Sequence, residues 1–522
     1  MGTSDFIETT GNRSAAFALD LIVQRIELAF DSGDYASASG LIEQHLLEAW
    51  FGLNPEALLR TLLTIEASGH PLPPLTDALK YMMLALTAAE SGDGPTPGAD
   101  QYDAVQSHDT GALFQSLGAM FALRLQGRPV EALKMSGALA TQRAAFQPLF
   151  TAQGGLGLFG VLQTGLSAML AGNFTLAEAT LTEAQLHQPV QTLPFLTRDA
   201  HSKMAALHAC FGDPAIARAE LERSEKLPCT NSWIEPVLDT QAAMVRLILD
   251  PVDPHTILDR LEAIPMSTLG EMWPFYVCAM SMSLARAGLA DEATRRLELL
   301  DQTALPRVDG QGVTGSIMPV LLAYSALIRD NPGRAREYAQ RADPEIPLTT
   351  LLNGGIALMF GDTQTAIRAA IDARPMTRTL RSLELLRLSL LATALLARGD
   401  TEECIETLRT AMAVPRGLEP GEVLLFHASV HELAAQHLPE WPQPSEPLSE
   451  LAQLTIQRRQ ALTRRELEVL QGLSRGLSRR QIGGELYLSE NTVKVHQQSL
   501  YRKLEVNNKT AAVLEGERRG LL

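Results

Sequence analysis

The feature that most constrains the fold of this chain is a turn signal that recurs along it. A Gly or Asp, usually followed by a polar residue, precedes a small residue by five positions, as in "GNFTLA" (172–177) and "GDTQTA" (361–366). Gly tolerates the left-handed conformation that ends a helix, and Asp or Asn caps the next helix. A small residue lets two helices approach closely. The signal begins at Gly33, Gly127, Gly172, Gly212, Gly288, Asp330, Gly361 and Gly399.

The spacing of these turns predicts a repeated helix pair. From Gly172 onward the intervals are 40, 76, 42, 31 and 38 residues, and 76 is close to two repeats. Helix pairs that recur every 30 to 45 residues or so are typical of tetratricopeptide-like superhelices. Apolar residues between the turns follow helical spacing, as in "IARAELERSEKL". We therefore predict an all-α fold, although unrelated helices that share ordinary Gly-Asp turns remain an alternative. Such a superhelix offers a groove for a small-molecule effector or a protein partner.

The charge of the chain is divided unevenly. The whole sequence has a net charge of −16, but residues 458–522 hold 13 Lys and Arg against 7 Asp and Glu, a net charge of +6. The remainder has a net charge of −22. A small basic tail on a large acidic body indicates a nucleic-acid-binding unit on an acidic carrier. A segment with four prolines between 439 and 447 predicts a linker between them.

The tail reads as four short helices. Thr463 with Glu466 forms a capping-box pattern, Ser478 is a second N-cap, and Ser489 caps a third helix, "SENTVKVHQQSLYRKL". This third helix has an apolar side, made by Val493, Leu500 and Leu504. Its other side is polar and basic, and carries Asn491, Lys494, Val495, Gln498 and Arg502.

Two helices joined by a tight turn, the second with such a face, form the arrangement that enters the DNA major groove. Gln can bond adenine, Lys can bond guanine, and Val can contact a thymine methyl group. We predict base contacts from Lys494, Val495 and Gln498. The predicted contacts to the DNA backbone are Arg479, Arg480, Ser489, Asn491, Thr492, Arg502, Lys503 and Lys509. A basic helix used for protein contacts is the alternative.

The segment "LTRRELEVLQGLSRGLSRRQIGGELYLSENTVKVHQQSLYRKLEV" (462–506) resembles the LuxR-type helix-turn-helix domain of bacterial transcription regulators. The resemblance implies double-stranded DNA as the partner. It also implies that the domain pairs as a homodimer on DNA through the fourth helix, at Thr510, Val513 and Leu514. The segment departs from the family at Gly483, where Ala is usual, and has a second Gly at 484. Each Gly predicts a loss of about 1 kcal/mol of helix propensity.

The beginning of the body, "LAFDSGDYASASGLIEQHLLEAWFGLNPEALLRTLLTIEASGHP" (28–71), resembles the helical sensor of MalT-like members of the LuxR superfamily. Such regulators carry an ATPase in front of the sensor, and we expect none in this chain. A separately encoded ATPase therefore stays open as a partner.

Other kinds of site have little support in the sequence. There is no GxxxxGK[ST] pattern for phosphate binding, and His427 and His431 have a metal-ligand spacing without a third ligand. We predict no enzyme activity, no cofactor and no metal. No run of 18 apolar residues is present, so no membrane span is expected. Four scattered cysteines and no export signal favour the cytoplasm.

These observations predict four segments. Residues 1–18 are a disordered lead-in, 19–437 the tetratricopeptide-like repeat domain, 438–460 a Pro-rich linker and connector, and 461–522 the helix-turn-helix domain. The predicted function is sequence-specific DNA binding in transcription regulation, controlled by an effector or partner in the repeat. The alternative is an interaction scaffold whose DNA-binding domain is vestigial or secondary.

Overall fold

A computed structural model describes residues 3–90, 110–141, 147–251, 253–444, 462–504, 506–518 and 521–522. The described residues form helices and no strand, which confirms the predicted all-α class. The chain forms two compact units, Met1–Ile317 and Met318–Leu522. The division falls within the segment 19–437 that is predicted to be one repeat domain, and the predicted domain boundaries remain predictions.

The first unit is built of consecutive helices with a short 3₁₀ segment, Met266–Met272, before α15. Its helices are α1 (Thr3–Asp31), α2 (Tyr35–Gln44), α3 (Leu46–Gly52), α4 (Pro55–Ala67), α5 (Pro74–Glu90), α6 (Thr110–Leu125), α7 (Pro129–Thr141), α8 (Gln147–Ala152), α9 (Leu156–Ala171), α10 (Phe174–Leu186), α11 (Pro194–Phe211), α12 (Pro214–Glu225), α13 (Glu235–Leu249), α14 (Pro254–Glu262), α15 (Trp273–Arg286) and α16 (Ala290–Asp301).

Helix α17 (Gly312–Ile328) contains the boundary between the units, and the remaining helices belong to the second. They are α18 (Pro332–Ala339), α19 (Pro347–Met359), α20 (Thr363–Thr377), α21 (Arg381–Arg398), α22 (Thr401–Met412), α23 (Ala428–His437), α24 (Arg464–Ser474), α25 (Arg479–Leu486), α26 (Glu490–Leu504) and α27 (Lys509–Arg518), with a 3₁₀ turn at Glu422–Leu425. None of the helices that the structure describes is long and apolar enough to cross a membrane.

The recurring turn signal has the conformation that its residues predict. The first residue of every occurrence except Gly212 has a positive φ, and this includes Asp330, which is not a glycine and adopts φ 52°. The small residue five positions on is buried at every occurrence, because it sits where two helices meet. These residues are Ala38, Ala132, Ala177, Ala217, Ala293, Ala335, Ala366 and Cys404.

The helices between the turns pack as repeated pairs. Helix α9 packs on α10, α11 on α12, α19 on α20 and α21 on α22. The first helices of successive pairs also pack on one another, from α9 to α11, from α11 to α13 and from α13 to α15. Nearest-neighbour contacts of this kind are those of a stacked helical repeat, in which each pair buries its apolar face on the next.

Irregular structure is expected in the lead-in, residues 1–18, and in the linker, residues 438–460. Helix α1 begins at Thr3, within the segment 1–18 for which a lead-in is expected. Its sequence contains no proline, and its one glycine, Gly11, costs only about 1 kcal/mol in a helix. Of the predicted linker and connector, residues 445–460 lie outside the described residues.

Helices α24 to α27 enclose a core of their own in the second unit. Its buried members are Val469, Leu470, Leu473, Ile482, Val493, Leu500, Leu504 and Ala512. All three apolar residues expected on the inner side of the third helix are among them. The last helix of this bundle, α27, also lies against α18 of the repeat within the same unit.

Candidate DNA-binding site

Local capping sets the beginning of each helix in the bundle. Helix α24 has a complete capping box, in which the Thr463 amide donates to Glu466 Oε2 at 2.6 Å and the Glu466 amide donates to Thr463 Oγ1 at 3.3 Å. Helix α25 has a second box, made by Ser478 and Gln481. Helix α26 begins after Ser489, whose Oγ accepts from the Thr492 amide at 3.1 Å. These contacts confirm the three N-caps predicted from the sequence.

The turn between α25 and α26 is tight. Tyr487 ends α25 in the left-handed conformation, with φ 56°, and the Leu488 amide donates to the Gly483 carbonyl oxygen at 2.9 Å. A Cβ at position 483 would lie 2.7 Å from the Leu488 carbonyl oxygen, whereas a Cβ at Gly484 would meet nothing within 4 Å. Helix propensity alone predicts a loss of stability at both glycines. The structure corrects this for Gly483, because Ala there would collide with the backbone.

Helix α26 has a buried side and an exposed side. Val493, Leu500 and Leu504 face the core. Lys494, Val495 and Gln498 are all exposed, with 57% of Val495 accessible to solvent. The structure therefore brings the three predicted base-contacting residues together on one free face. Asn491 and Arg502 are exposed on the same helix, and Thr492 is half-buried.

A buried Gln that the sequence analysis did not single out positions one of the predicted backbone contacts. Arg479 Nε donates to Gln497 Oε1 at 2.7 Å, and Gln497 Nε2 donates to the Tyr501 hydroxyl. Gln497 is only 6% exposed. Its place on the apolar side of α26, four residues after Val493, is a signal that could have identified it. Arg480, next to Arg479 at the beginning of α25, is exposed.

Lys503 occupies a different environment from the other predicted backbone contacts. Its Nζ lies 2.7 Å from Glu466 Oε2, and the two side chains are 13% and 4% exposed. Burial alone would raise the pKa of Glu466, but hydrogen bonds from Lys503, Ser499 and Thr463 outweigh it and lower the pKa to about 2. The pair joins the beginning of α24 to the last turn of α26. This position favours a structural role for Lys503 over the phosphate contact expected from the sequence.

The fourth helix carries the residues predicted to pair two domains. Lys509 and Thr510 are exposed at its beginning, and Asn508 Oδ1 caps it by accepting from the Ala511 amide at 2.8 Å. Leu514 is 61% exposed, whereas Val513 packs partly against the domain core. Thr510 and Leu514 are thus exposed on the helix, and Val513 is turned inward.

The two histidines with metal-ligand spacing have structural partners instead. His427 caps α23, with Nδ1 accepting from the Ser429 amide at 3.2 Å. His431 Nε2 donates to the Phe426 carbonyl oxygen at 3.2 Å, and its Nδ1 accepts from Trp441 Nε1 at 3.2 Å. Burial lowers the pKa of His431. Among the residues that the structure describes, no three His, Cys, Asp or Glu side chains are grouped so that they could hold a metal ion.

Comparison with known proteins identifies this bundle. Residues 460–515 match the family model "Bacterial regulatory proteins, luxR family". Over 59 residues, 11% of this chain, the sequence is 51% identical to the transcriptional regulatory protein DegU of Brevibacillus brevis. Over 53 residues it is 53% identical to the nitrate/nitrite response regulator protein NarP of Escherichia coli. Each match covers 25% of the relative's length. The C-terminal bundle of this chain is a DNA-binding helix-turn-helix domain of the LuxR family.

Proposed function

We propose that the protein is a transcription regulator that binds specific DNA sequences through α26 and is controlled by its helical repeat. The observation that carries the proposal is the exposed face of α26, because it places Lys494, Val495 and Gln498 together on a domain with its own core. The family match supports DNA as the partner. We propose that the protein acts in the cytoplasm, and we assign no catalytic activity to it.

The three exposed residues suit direct readout of bases. An α-helix fits the major groove, where Lys can bond guanine, Gln can bond adenine and Val can contact a thymine methyl group. Each good contact of this kind contributes about 1–3 kcal/mol of discrimination against a wrong base. Arg479, Arg480, Asn491, Arg502 and Lys509 are the proposed contacts to the DNA backbone, with Ser489 and Thr492 at the beginning of α26.

A genomic pull-down tests base readout. Purified full-length protein is mixed with fragmented genomic DNA, and the bound fragments are sequenced beside those bound by a Lys494→Ala, Gln498→Ala double variant. We expect a shared, roughly palindromic site that the double variant no longer selects. The matched control replaces an Arg and a Gln that are exposed on α24, as Arg464→Ala and Gln471→Ala, and should keep the site. Loss of the site in both double variants would contradict readout by α26.

In the proposed control, the helical repeat prevents the helix-turn-helix domains of two chains from pairing. The body outside residues 458–522 has a net charge of −22, which disfavours approach to DNA. Lys494, Val495 and Gln498 are exposed on α26, whereas α27 lies against α18. These observations support a model in which an effector or partner releases α27, so that a homodimer forms on a two-fold DNA site.

This model predicts different salt dependence for the tail and the whole chain. DNA affinity is measured for full-length protein and for residues 462–522, with circular dichroism verifying that the fragment is folded. We expect the fragment to bind more tightly at low salt. Equal affinity of both proteins at every salt concentration would contradict control by the repeat.

An interaction scaffold with a vestigial DNA-binding domain is the second candidate, supported by the extent of the stacked repeat. It predicts that neither the full chain nor the folded fragment selects any DNA sequence in the pull-down.

A further inference from the structure

The first unit contains a cavity with an unusual concentration of aromatic side chains. The cavity has a volume of about 290 Å³. Only 5% of the chain is Phe, Trp or Tyr. Six such residues nevertheless line this one space: Trp50, Phe51, Phe121, Phe159, Phe195 and Trp233. Pockets for small molecules begin at about 300 Å³, so the volume selects a small ligand.

Three of these rings form a stack. The ring centroids of Phe51 and Trp50 are 5.5 Å apart and their planes differ by 12°, and those of Phe51 and Trp233 are 5.7 Å apart with planes that differ by 20°. Phe159 meets Trp50 edge-on at 5.6 Å. Trp233 Nε1 donates to the Trp50 carbonyl oxygen at 2.8 Å, which ties the two ends of the stack together. Rings held in this way give a surface on which another flat ring packs favourably.

The charged side chains of the lining are already paired. Glu271 accepts from the buried Arg124, whose Nε lies 2.7 Å from Glu271 Oε1. Asp199 accepts from Lys203 on the same helix. These four side chains together carry no net charge, so a charged ligand would add one that lacks a partner of its own. Because burial of an unpaired charge is strongly unfavourable, the cavity favours a neutral ligand.

One buried amide of the lining is held so that its N–H groups can serve a ligand. Gln163, on α9, is 8% exposed and lines the cavity. Its Oε1 accepts from Arg124 Nη2 at 2.8 Å. Because a guanidinium group offers donors and no acceptor, the amide cannot turn round, and its Nε2 is directed away from Arg124. No residue that the structure describes accepts from this Nε2.

A second buried amide has the same polarity. Gln241, on α13, is 4% exposed and also lines the cavity. Its Oε1 is fully buried, so the amide atom with accessible surface is the Nε2 donor, and no described residue accepts from it. Two helices therefore bring N–H donors to the same aromatic cavity. A ligand that covers a donor without accepting from it loses affinity, because the donor gives up its water and gains nothing.

We propose that the cavity binds a neutral, flat aromatic molecule of one or two rings that accepts hydrogen bonds from the amide N–H groups of Gln163 and Gln241. The aromatic stack provides the apolar contact, and the two amides provide the polar specificity. In the regulator proposed above, this molecule is the effector, and that role rests on the proposed function. The binding site itself rests only on the first unit.

The test uses two probes of similar shape that differ in their acceptors. Equilibrium dialysis of the full-length protein measures the affinity of coumarin, whose lactone only accepts hydrogen bonds, and of naphthalene, which neither accepts nor donates. We expect one molecule of coumarin to bind each chain, and naphthalene to compete with it for the same site. Gln241→Leu and Gln163→Met, which have no donor, should each weaken coumarin binding about tenfold. Both variants should keep their affinity for naphthalene, because the aromatic stack is unchanged.

The naphthalene measurement also verifies that the cavity is intact in each variant. In Gln163→Met, Arg124 keeps Glu271 and Ser167 as partners. The matched control is Gln153→Leu, which removes a buried amide of the first unit whose Nε2 donates to the Glu43 carbonyl oxygen and which does not line the cavity. It should keep both affinities. Failure of coumarin to bind, an unchanged coumarin affinity in either cavity variant, or equal losses for both probes would each overturn the proposed site.

DNA affinity of the same samples separates this inference from the proposed function. If the probes behave as expected and no DNA sequence is selected, the site stands and the regulator does not. If DNA is selected and the probes fail, the regulator stands and the site does not. If both hold, coumarin at a concentration that saturates only the unchanged protein should change its DNA affinity, and much less that of Gln241→Leu. An unchanged DNA affinity would contradict the role as effector.

Discussion

Replacing Glu466 with Gln tests whether one buried carboxylate holds the helix-turn-helix domain together. Glu466 accepts from the Thr463 amide at 2.6 Å and from Lys503 Nζ at 2.7 Å. Gln has nearly the same shape but no charge. It can still accept from the Thr463 amide, so the substitution chiefly removes the negative charge that pairs with the largely buried Lys503.

The expected loss of stability follows from the pKa of Glu466. The folded domain lowers this pKa from 4.5 to about 2. At about 1.36 kcal/mol per pKa unit, the shift corresponds to roughly 3 kcal/mol of stability at neutral pH. Breaking a buried ion pair by removing one partner costs about 3–5 kcal/mol in other proteins. Because Gln keeps part of the capping contact, we expect Glu466→Gln to lower the free energy of unfolding by about 2–3 kcal/mol.

The same shift predicts how the loss depends on pH. The carboxyl group has a lower pKa in the folded domain than in the unfolded chain, so its contribution is fully present above pH 4.5. It is lost as pH falls toward 2, where the folded carboxyl group also takes up a proton. The difference in stability between the unchanged domain and Glu466→Gln should therefore shrink steadily below pH 4.5.

Thermal unfolding of residues 462–522, followed by circular dichroism, measures both effects. A loss of 2–3 kcal/mol should lower the midpoint by about 10–20 °C in a domain of this size. The control is Glu468→Gln, which removes a carboxylate on the same helix that pairs with Arg464 and Arg465 near solvent. We expect little change in its midpoint. An equally small change for Glu466→Gln, or a loss that does not depend on pH, would refute the reasoning.

Four other substitutions have definite expected outcomes. Gly484→Ala should raise the unfolding free energy of residues 462–522 by about 0.5–1 kcal/mol, whereas Gly483→Ala should lower it, because its Cβ would lie 2.7 Å from the Leu488 carbonyl oxygen. The denaturation midpoints of the two variants should move in opposite directions. Arg480→Gln should weaken binding to all DNA sequences alike and reduce the salt slope by about one, measured by anisotropy titrations. Gly312→Ala, at φ 56°, should lower the melting temperature of the full-length protein, as scanning calorimetry would detect.

The parts of the fold that depend on short-range rules could be predicted from the sequence. The capping boxes at Thr463 and Ser478 involve residues only three positions apart, and most of the left-handed turns fall on Gly, which tolerates that conformation. The buried side of α26 follows from apolar residues at helical spacing. In each case the signal and the structure lie within one or two helical turns, so no knowledge of the tertiary fold is required.

Contacts between distant segments could not be predicted in the same way. Lys503 and Glu466 are 37 residues apart, and the sequence does not show which basic residues of α26 reach back to α24. From the sequence, Gly483 is expected only to lower helix stability. The structure shows that the Leu488 carbonyl oxygen leaves no room for a Cβ at this position. Trp233 Nε1 donates to the Trp50 carbonyl oxygen at 2.8 Å, although the two residues are far apart in the sequence, and only the packing of the first unit brings them together.

The structure divides the basic residues of the domain into two classes with different consequences. Lys503 is held by Glu466 in a largely buried pair, so its loss should reduce stability and DNA affinity together. Lys494 lies on the exposed face of α26, so its loss should reduce DNA affinity and leave the unfolding free energy unchanged. The ratio of the two effects, measured on one set of variants, distinguishes residues that build the helix-turn-helix from those that read DNA. The sequence alone does not make this distinction, because both lysines are basic residues of the same helix, nine positions apart.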